Sequence, residues 1–144
     1  MMVTQEPPGL LDSPGYLLAR AGSESRSRFV EALAEHDLTL SAYSVLMVLG
    51  ATGGISQRQL AAAVRIDPRN LVPILDELVA SGLVTRKSDP NDRRRRAMSL
   101  TPAGRTKLTR LREMGTRTET AFLTHLSAHE RRQLLSLLRK LLDV

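Results

Sequence analysis

The sequence predicts a mainly α-helical fold that is interrupted by one small β-hairpin. Apolar residues recur at helical spacing in several segments, and most of these segments begin at a residue typical of a helix start. Two short β-prone runs, Leu83–Thr85 and Ala97–Leu100, instead flank a turn at Asp89–Asp92. The predicted order is therefore four helices, a hairpin and two further helices.

The first two helices are predicted from their start and stop signals. Ser13 is the expected N-cap of a first helix that begins at Pro14 and runs to about Glu35. Ser41 is the expected N-cap of the second helix, which ends at the glycine pair after Thr52.

The next two helices are short and closely joined. Ser56 and Gln59 form the pattern of a capping box, which predicts a third helix from Gln57 to Val64, preceded by a minimal strand at Ile55. About three residues then lead to a fourth helix, which ends before Gly82. Two short helices joined so tightly are typical of a helix-turn-helix, whose second helix enters the major groove of DNA.

Pro73 falls inside the fourth helical pattern, where a proline removes one hydrogen bond and crowds the preceding turn. If Asn70 is the N-cap, Pro73 becomes the third helical residue, whose missing N–H costs nothing. We therefore predict a helix that begins late or bends near Arg69–Pro73, with Asp67–Pro68 as a lead-in turn.

The hairpin carries the densest positive charge of the chain, the run from Arg93 to Arg96, and the net charge of the whole chain is +6. Neighbouring arginines repel each other, so such a run inside a folded chain indicates an anionic partner, here a nucleic-acid backbone. A hairpin directly after a helix-turn-helix is a wing. The sequence thus predicts a winged helix-turn-helix that binds double-stranded DNA.

The two C-terminal helices follow from similar signals. Thr101–Pro102 starts a long fifth helix that runs to about Leu126, and Ser127 with Glu130 starts the last helix. Leucines cover too wide a stripe of the last helix for an isolated amphipathic helix, so that the extra apolar face needs a partner. We predict that the N- and C-terminal helices form a dimerisation lobe; packing of the two ends within one chain is the alternative.

The resulting division has four regions. Residues 1–12 are a flexible N-terminus, residues 13–36 a dimerisation helix, residues 37–104 a winged helix-turn-helix DNA-binding domain, and residues 105–144 the remaining dimerisation helices.

Gly82-Leu83-Val84 leads into the hairpin, Asp89 to Arg94 form its turn and the start of its basic run, and Ser99 to Gly104 lead out of it. With these segments the chain resembles the MarR family of transcriptional regulators over about residues 10–144. The resemblance implies a homodimer that binds a pseudo-palindromic operator, usually as a repressor, and many relatives release DNA on binding a small, often phenolic or aromatic, effector. Asp92 and Arg94 match the family's Asp-x-Arg wing motif. The other segments that carry the resemblance are Leu60-Ala61, Asp76, Leu78, Gly82-Leu83-Val84, Asp89 to Arg94 and Ser99 to Gly104.

Arg94 is the strongest candidate for a wing contact, because an inserted guanidinium reads a narrow, electronegative minor groove. Asp92 either orients this guanidinium or only shapes the turn. The other basic residues of the hairpin are predicted phosphate contacts, with a solvated strand face as the alternative for the first two: Arg86, Lys87, Arg93, Arg95 and Arg96.

The fourth helix supplies the candidate base contacts. Arg69 can read guanine and Asn70 adenine, although a phosphate contact is equally open to both and Asn70 is also a candidate cap. Pro73 offers an apolar face to a thymine methyl group. Arg58 in the third helix is a candidate backbone contact, whereas Asp76 repels phosphates and should mark where the helix leaves the groove.

Other functional classes are weaker. The chain has no cysteine, which excludes disulfides and thiolate metal sites. His125 and His129 raise a metal-responsive regulator as an alternative, but Ser127 places them at a helix junction, so we predict no metal and no cofactor. A nonspecific nucleic-acid-binding protein of the nucleoid or double-stranded-RNA type is a further alternative. No phosphate loop or nucleophile elbow indicates an enzyme.

The aromatic residues of the N-terminal half are the candidates for an effector pocket, with a plain core role as the alternative: Tyr16, Phe29, His36 and Tyr43. No signal peptide is visible, and no apolar run approaches the ~18 residues of a membrane span. These observations predict a cytoplasmic protein without membrane contact.

Overall fold

The computed structural model describes residues 6–89 and 92–144, with the side chains of residues 89 and 92–96 left out of the description. Pro90 and Asn91, at the centre of the predicted turn, therefore lie outside the described residues. The described elements, in chain order, are a 3₁₀ helix (Leu10–Asp12), α1 (Pro14–Ala34), α2 (Leu40–Thr52), β1 (Ile55–Ser56), α3 (Gln57–Val64), α4 (Pro68–Ala80), β2 (Val84–Asp89), β3 (Asp92–Leu100), α5 (Pro102–Phe122) and α6 (Ala128–Leu142). The predicted mainly helical architecture with one hairpin is confirmed.

Local helix signals formed as the residue types dictate. Both predicted capping boxes are complete: the Ser56 hydroxyl accepts from the Gln59 N–H, and the Ser127 hydroxyl accepts from the Glu130 N–H, with the reciprocal side-chain bonds present. Gly82, which follows the last residues of α4, has a φ of 74°, a backbone conformation that suits glycine.

The predicted start of the second helix and the predicted end of the fifth helix are wrong. Helix α2 begins at Leu40 rather than after Ser41, because the hydroxyl of Thr39 accepts a hydrogen bond of 3.1 Å from the Ala42 N–H and caps the helix earlier. Helix α5 ends at Phe122 rather than near Leu126, where the Leu126 N–H instead donates to the Leu123 carbonyl at 3.0 Å in a tight turn. This turn lets Ser127 begin α6.

The wing is an antiparallel sheet with the strand order β1–β3–β2. Ile55 of β1 pairs with Met98 of β3, and the other edge of β3 pairs Met98 with Arg86 and Leu100 with Val84. Because side chains alternate along a strand, Val84 and Arg86 share one face with Met98 and Leu100. This face is the buried one, since Met98 is 0% exposed.

The described residues fall into two compact units. One unit is Val30–Met114, and the other combines the residues up to Phe29 with Gly115–Val144. The first unit is here called the DNA-reading unit, after the predicted helix-turn-helix and wing that it contains. It contains all of the buried apolar residues of the described chain: Leu33, Ala42, Val45, Leu46, Leu49, Leu60, Ala61, Leu71, Leu75, Leu78, Val84, Met98, Leu100, Leu108, Leu111 and Met114.

The second unit, here called the terminal unit, instead exposes large apolar side chains. Leu137, Leu141 and Leu142 of α6 are 64%, 64% and 68% exposed. Within the described residues, no helix combines the length and apolar character needed to cross a bilayer.

Candidate nucleic-acid interface

The turn between α3 and α4 positions the start of α4. Arg65 ends α3 in the left-handed region at a φ of 55°, and the Ile66 N–H donates to the Ala61 carbonyl at 3.1 Å. The Asp67 carboxylate then accepts a 2.8 Å hydrogen bond from the Arg69 N–H, which satisfies a donor at the beginning of α4. Pro68 follows as the first helical residue, where its fixed φ suits the helix.

Of the two predicted alternatives, a late start of α4 is therefore wrong, and a bend near Arg69–Pro73 stays a prediction. Asp67 rather than Asn70 is the N-cap, and Pro73 lies in the helix interior. Since proline has no N–H, the Arg69 carbonyl receives no hydrogen bond from position 73. The helix continues through this position because its other face is anchored in the core by Leu71 and Leu75, each 0% exposed.

Burial divides α4 into two opposite faces. Leu71, Leu75 and Leu78 form the buried row. Arg69, Pro73 and Asp76 are exposed, and their spacing of four and three residues puts them in one row on the opposite face. This row, here called the reading row, presents its basic and apolar members in the first half of the helix. Asn70 is also exposed, beside the row.

Asp76 is paired within the protein. Its Oδ1 atom accepts a hydrogen bond of 2.6 Å from the Nη2 atom of Arg86 in β2. The Arg86 side chain is 23% exposed, and it lies on the buried face of the sheet, in phase with Val84. Arg86, a predicted phosphate contact, is thus held against α4 rather than standing on a solvated strand face.

The Asp76–Arg86 pair was missed by the sequence reasoning, although a signal for it exists. An arginine at an inward-facing strand position needs an anionic partner, because a buried cation without one is costly. Asp76 is the acidic residue that the helix preceding this strand offers on its exposed row.

The remaining predicted contacts are placed only in part. The backbone of Asp92 and of Arg93 to Arg96 lies in β3, but the side chains of these residues lie outside the described residues. Lys87 in β2 is exposed, as is Arg58, the second residue of α3.

The base of the wing is tied to the start of α5. The Thr101 hydroxyl donates to the Gly82 carbonyl at 2.6 Å and accepts from the Gly104 N–H at 3.0 Å. Gly104 is required there for space, because a Cβ atom at this position would lie 2.1 Å from the Leu83 carbonyl oxygen. These contacts fix the base of the hairpin, where β2 begins and β3 ends.

The four candidate effector residues are divided between the two units. His36 and Tyr43 belong to the DNA-reading unit, and Tyr16 and Phe29 to the terminal unit. The Tyr16 hydroxyl donates to the carboxylate of Glu6 at 3.0 Å, and this hydrogen bond raises the pKa of the Tyr16 phenol.

The terminal unit contains an apolar groove of about 480 Å³ between α1, the end of α5 and α6. None of the four candidate effector residues lines this groove. Its apolar walls include Leu18, Phe122, Leu123, Leu134, Leu135 and Leu138. Among the residues described here, no group of three His, Asp or Glu side chains is arranged to hold a metal ion.

Comparisons with known proteins agree with this geometry. A model of the MarR family matches residues 36–95. The chain is 30% identical over 131 residues to the HTH-type transcriptional repressor Rv2887 of Mycobacterium tuberculosis, covering 90% of this chain and 94% of the relative.

Two solved structures are also similar. The transcriptional repressor CouR bound to a 23-mer DNA duplex is 34% identical, with a TM-score of 0.76 and coverage of 96% of this chain and 99% of the other. BpsR of Bordetella bronchiseptica, whose DNA binding is regulated by 6-hydroxynicotinic acid, is 27% identical, with a TM-score of 0.70 and the same coverage.

Proposed function

Because the chain belongs to the MarR family of DNA-binding transcriptional regulators, we propose that it represses transcription as a homodimer on a pseudo-palindromic operator. The observation that carries this proposal is the reading row of α4. Arg69 and Pro73 project from the first half of a helix whose opposite face is anchored in the core. This is the arrangement in which a recognition helix meets base edges in the major groove.

The wing supplies the second contact. In this proposal Arg94 enters the minor groove beside the half-site and Asp92 orients its guanidinium. Arg93, Arg95 and Arg96 contact phosphates, together with Lys87 and with Arg58 of α3. The strand register supports these contacts. Strand β3 pairs with β2 from Leu100 back to Arg96, so the arginine run continues the same strand toward the turn.

The terminal unit provides the dimer contact. It exposes leucines of α6 and contains an apolar groove, whereas the buried core of the described chain lies in the DNA-reading unit. A second copy of the same unit would bury this surface, and a two-fold dimer would match the symmetry of the operator. We therefore assign the terminal unit to dimerisation.

The proposal also includes a small-molecule effector whose binding releases the protein from the operator. The similarity to BpsR, whose DNA binding is regulated by 6-hydroxynicotinic acid, supports a small-molecule effector. Tyr16, Phe29, His36 and Tyr43 remain the candidate residues for its recognition. Alanine variants of these four that keep operator affinity but lose release by the effector would identify the contributors.

The first experiment is a fluorescence-anisotropy titration with DNA from upstream of the protein's own gene and with a scrambled duplex, at two salt concentrations. We expect at least a hundredfold preference for one duplex, which corresponds to a few kcal/mol. Equal binding to upstream, scrambled and selected sequences, with one common salt dependence, would instead support a nonspecific nucleic-acid-binding protein.

A further inference from the structure

Pro73 lies where the proposed recognition helix would meet base edges, and we propose that its ring reads the C5-methyl group of a thymine in each operator half-site. The thymine lies within two base pairs of the one that Arg69 contacts. This inference rests on the proposed function, since it requires α4 to occupy the major groove.

The position of Pro73 on α4 carries the first step. It is exposed, and it follows Arg69 by four residues, so that the two side chains are neighbours on the reading row. The buried residues Leu71 and Leu75 lie on the opposite face and fix the rotation of the helix about its axis. Pro73 must therefore face whatever Arg69 faces.

The chemistry of proline carries the second step. Its ring has no hydrogen-bond donor or acceptor, and its backbone nitrogen carries no hydrogen. Position 73 can distinguish bases only through apolar contact and shape. Among the groups that base pairs present in the major groove, the thymine C5-methyl group is the apolar one. A proline on the reading row therefore selects for thymine.

The Asp76–Arg86 pair limits the row on its other side. Asp76 is the next position along the row, and its carboxylate is already bonded to Arg86 at 2.6 Å. Arg69 and Pro73 are left as the reading positions, separated by about 6 Å along the helix axis. Base pairs are spaced by about 3.4 Å, so the two contacted base pairs lie within about two steps of each other.

Val72 provides a matched control. It is also apolar and 40% exposed, but it lies about 100° around the helix from Pro73. Because it follows Arg69 by three residues, Val72 is the other exposed apolar neighbour of Arg69, and Val72→Ala leaves Pro73 in place. Val72→Ala should keep the methyl sensitivity that Pro73→Ala loses. A methyl response lost in Val72→Ala but kept in Pro73→Ala would overturn the inference.

The test starts from a half-site chosen by the full-length protein from random duplexes. The Arg69→Ala variant then identifies the base pair at which discrimination is lost. Each thymine of the half-site is replaced in turn by deoxyuridine, which removes only the methyl group. Affinities are measured for the wild type, Pro73→Ala and Val72→Ala, with circular dichroism melting to confirm that each variant is folded.

We expect one thymine, within two base pairs of the Arg69 contact, at which the replacement weakens wild-type binding by about three- to fivefold. The same replacement should weaken Pro73→Ala binding by less than about twofold, because alanine keeps only the Cβ atom of the apolar ring, while Val72→Ala responds like the wild type. A second arm replaces this thymine by cytosine or 5-methylcytosine, and the methylated base should recover part of the lost affinity for the wild type and Val72→Ala but not for Pro73→Ala.

Two results overturn the inference and are distinguishable from failure of the proposed function. If the wild type is insensitive to every deoxyuridine, or if Pro73→Ala shows the same profile as the wild type, Pro73 does not read a methyl group. If no sequence is enriched in the selection at all, the protein is not a sequence-specific regulator. In that case the proposed function is wrong and this inference is wrong with it.

Discussion

The exposed residues of α4 and β2 are of two classes: those whose side chains are available to contact DNA, and those whose side chains, here called engaged, already bond to another residue of the protein. Asp76 and Arg86 belong to the engaged class, because their side chains are bonded at 2.6 Å. The pair joins the proposed recognition helix to the first strand of the wing. Its energetic value is limited, because the Asp76 side chain is 57% exposed and such pairs are screened by solvent.

A double-mutant cycle tests the Asp76–Arg86 pair. We expect Asp76→Ala and Arg86→Ala each to lower the free energy of unfolding, with a coupling of about 0.5 to 1 kcal/mol between them in urea denaturation. Glu77→Ala removes the neighbouring exposed acid and serves as the control, with little change in stability. A coupling of zero would mean that the pair makes no net contribution to stability.

Arg94 is tested by its effect on DNA binding alone. Arg94→Ala should weaken operator binding by about ten- to a hundredfold, because a guanidinium in the minor groove is lost. Its melting temperature and oligomeric state should be unchanged. Lys87→Ala, a change at a predicted phosphate contact, should weaken all duplexes slightly and equally. A fall in stability without a fall in affinity would contradict the proposed wing contact.

A substitution at Gly104 tests whether the base of the wing depends on close packing. Gly104→Ala puts a Cβ atom 2.1 Å from the Leu83 carbonyl oxygen, so the backbone has to shift. We expect a loss of about 2 to 4 kcal/mol in the free energy of unfolding. The same change at exposed Gly15, whose nearest neighbour would be 4.0 Å away, should be neutral or slightly stabilising. Equal effects at both sites would refute the packing argument.

At the scale of secondary structure, local sequence signals predicted an element correctly where a single residue determines where the element begins or turns. The capping boxes at Ser56 and Ser127 and the hairpin follow from residues close in sequence, and they are confirmed. At the start of α4 two local signals compete: Asp67–Pro68 is a cap followed by proline, as at the starts of α1 and α5, whereas Pro73 argued for a late start. Burial of Leu71 and Leu75 outweighed that local preference.

The candidate site was predictable only in its local part. The basic hairpin and the exposed basic start of α4 are visible in the sequence, whereas the Asp76–Arg86 bond depends on the sheet register. Long-range pairing of this kind requires knowing which face of β2 points inward. The side-chain contacts of Arg93 to Arg96 stay predictions, since these side chains lie outside the described residues.

Pro73 should make α4 less stable than a helix of the same length that has no proline in its interior. Pro73→Ala restores an N–H that can bond to the Arg69 carbonyl and relieves crowding in the preceding turn. We expect the free energy of unfolding to rise by about 1 to 3 kcal/mol, measured by urea denaturation. Pro68→Ala, at the first helical position, should not be stabilising. A destabilised Pro73→Ala variant would show that the ring packs within the protein.

At the scale of the whole molecule, buried and exposed apolar side chains are unevenly distributed between the two units. Fully buried apolar side chains of the described residues lie within Val30–Met114, while the terminal unit leaves leucines of α1 and α6 exposed. An exposed apolar surface of this kind is typical of an interface between proteins. In the proposed dimer each copy contributes one recognition helix, so an interface at the terminal unit would also determine whether two half-sites can be bound together.

Leu135→Lys tests this dependence, because Leu135 lines the apolar groove and is 49% exposed, so that its replacement leaves the buried core intact. A charge there should dissociate the dimer at micromolar concentration, as measured by sedimentation. Loss of the second half-site then removes the benefit of bivalent binding, and operator affinity should fall by about a hundredfold or more. Ser136→Lys adds the same charge at an exposed polar position about 100° around α6 from Leu135 and should stay dimeric. A Leu135→Lys variant that remains a dimer would place the interface elsewhere on the chain.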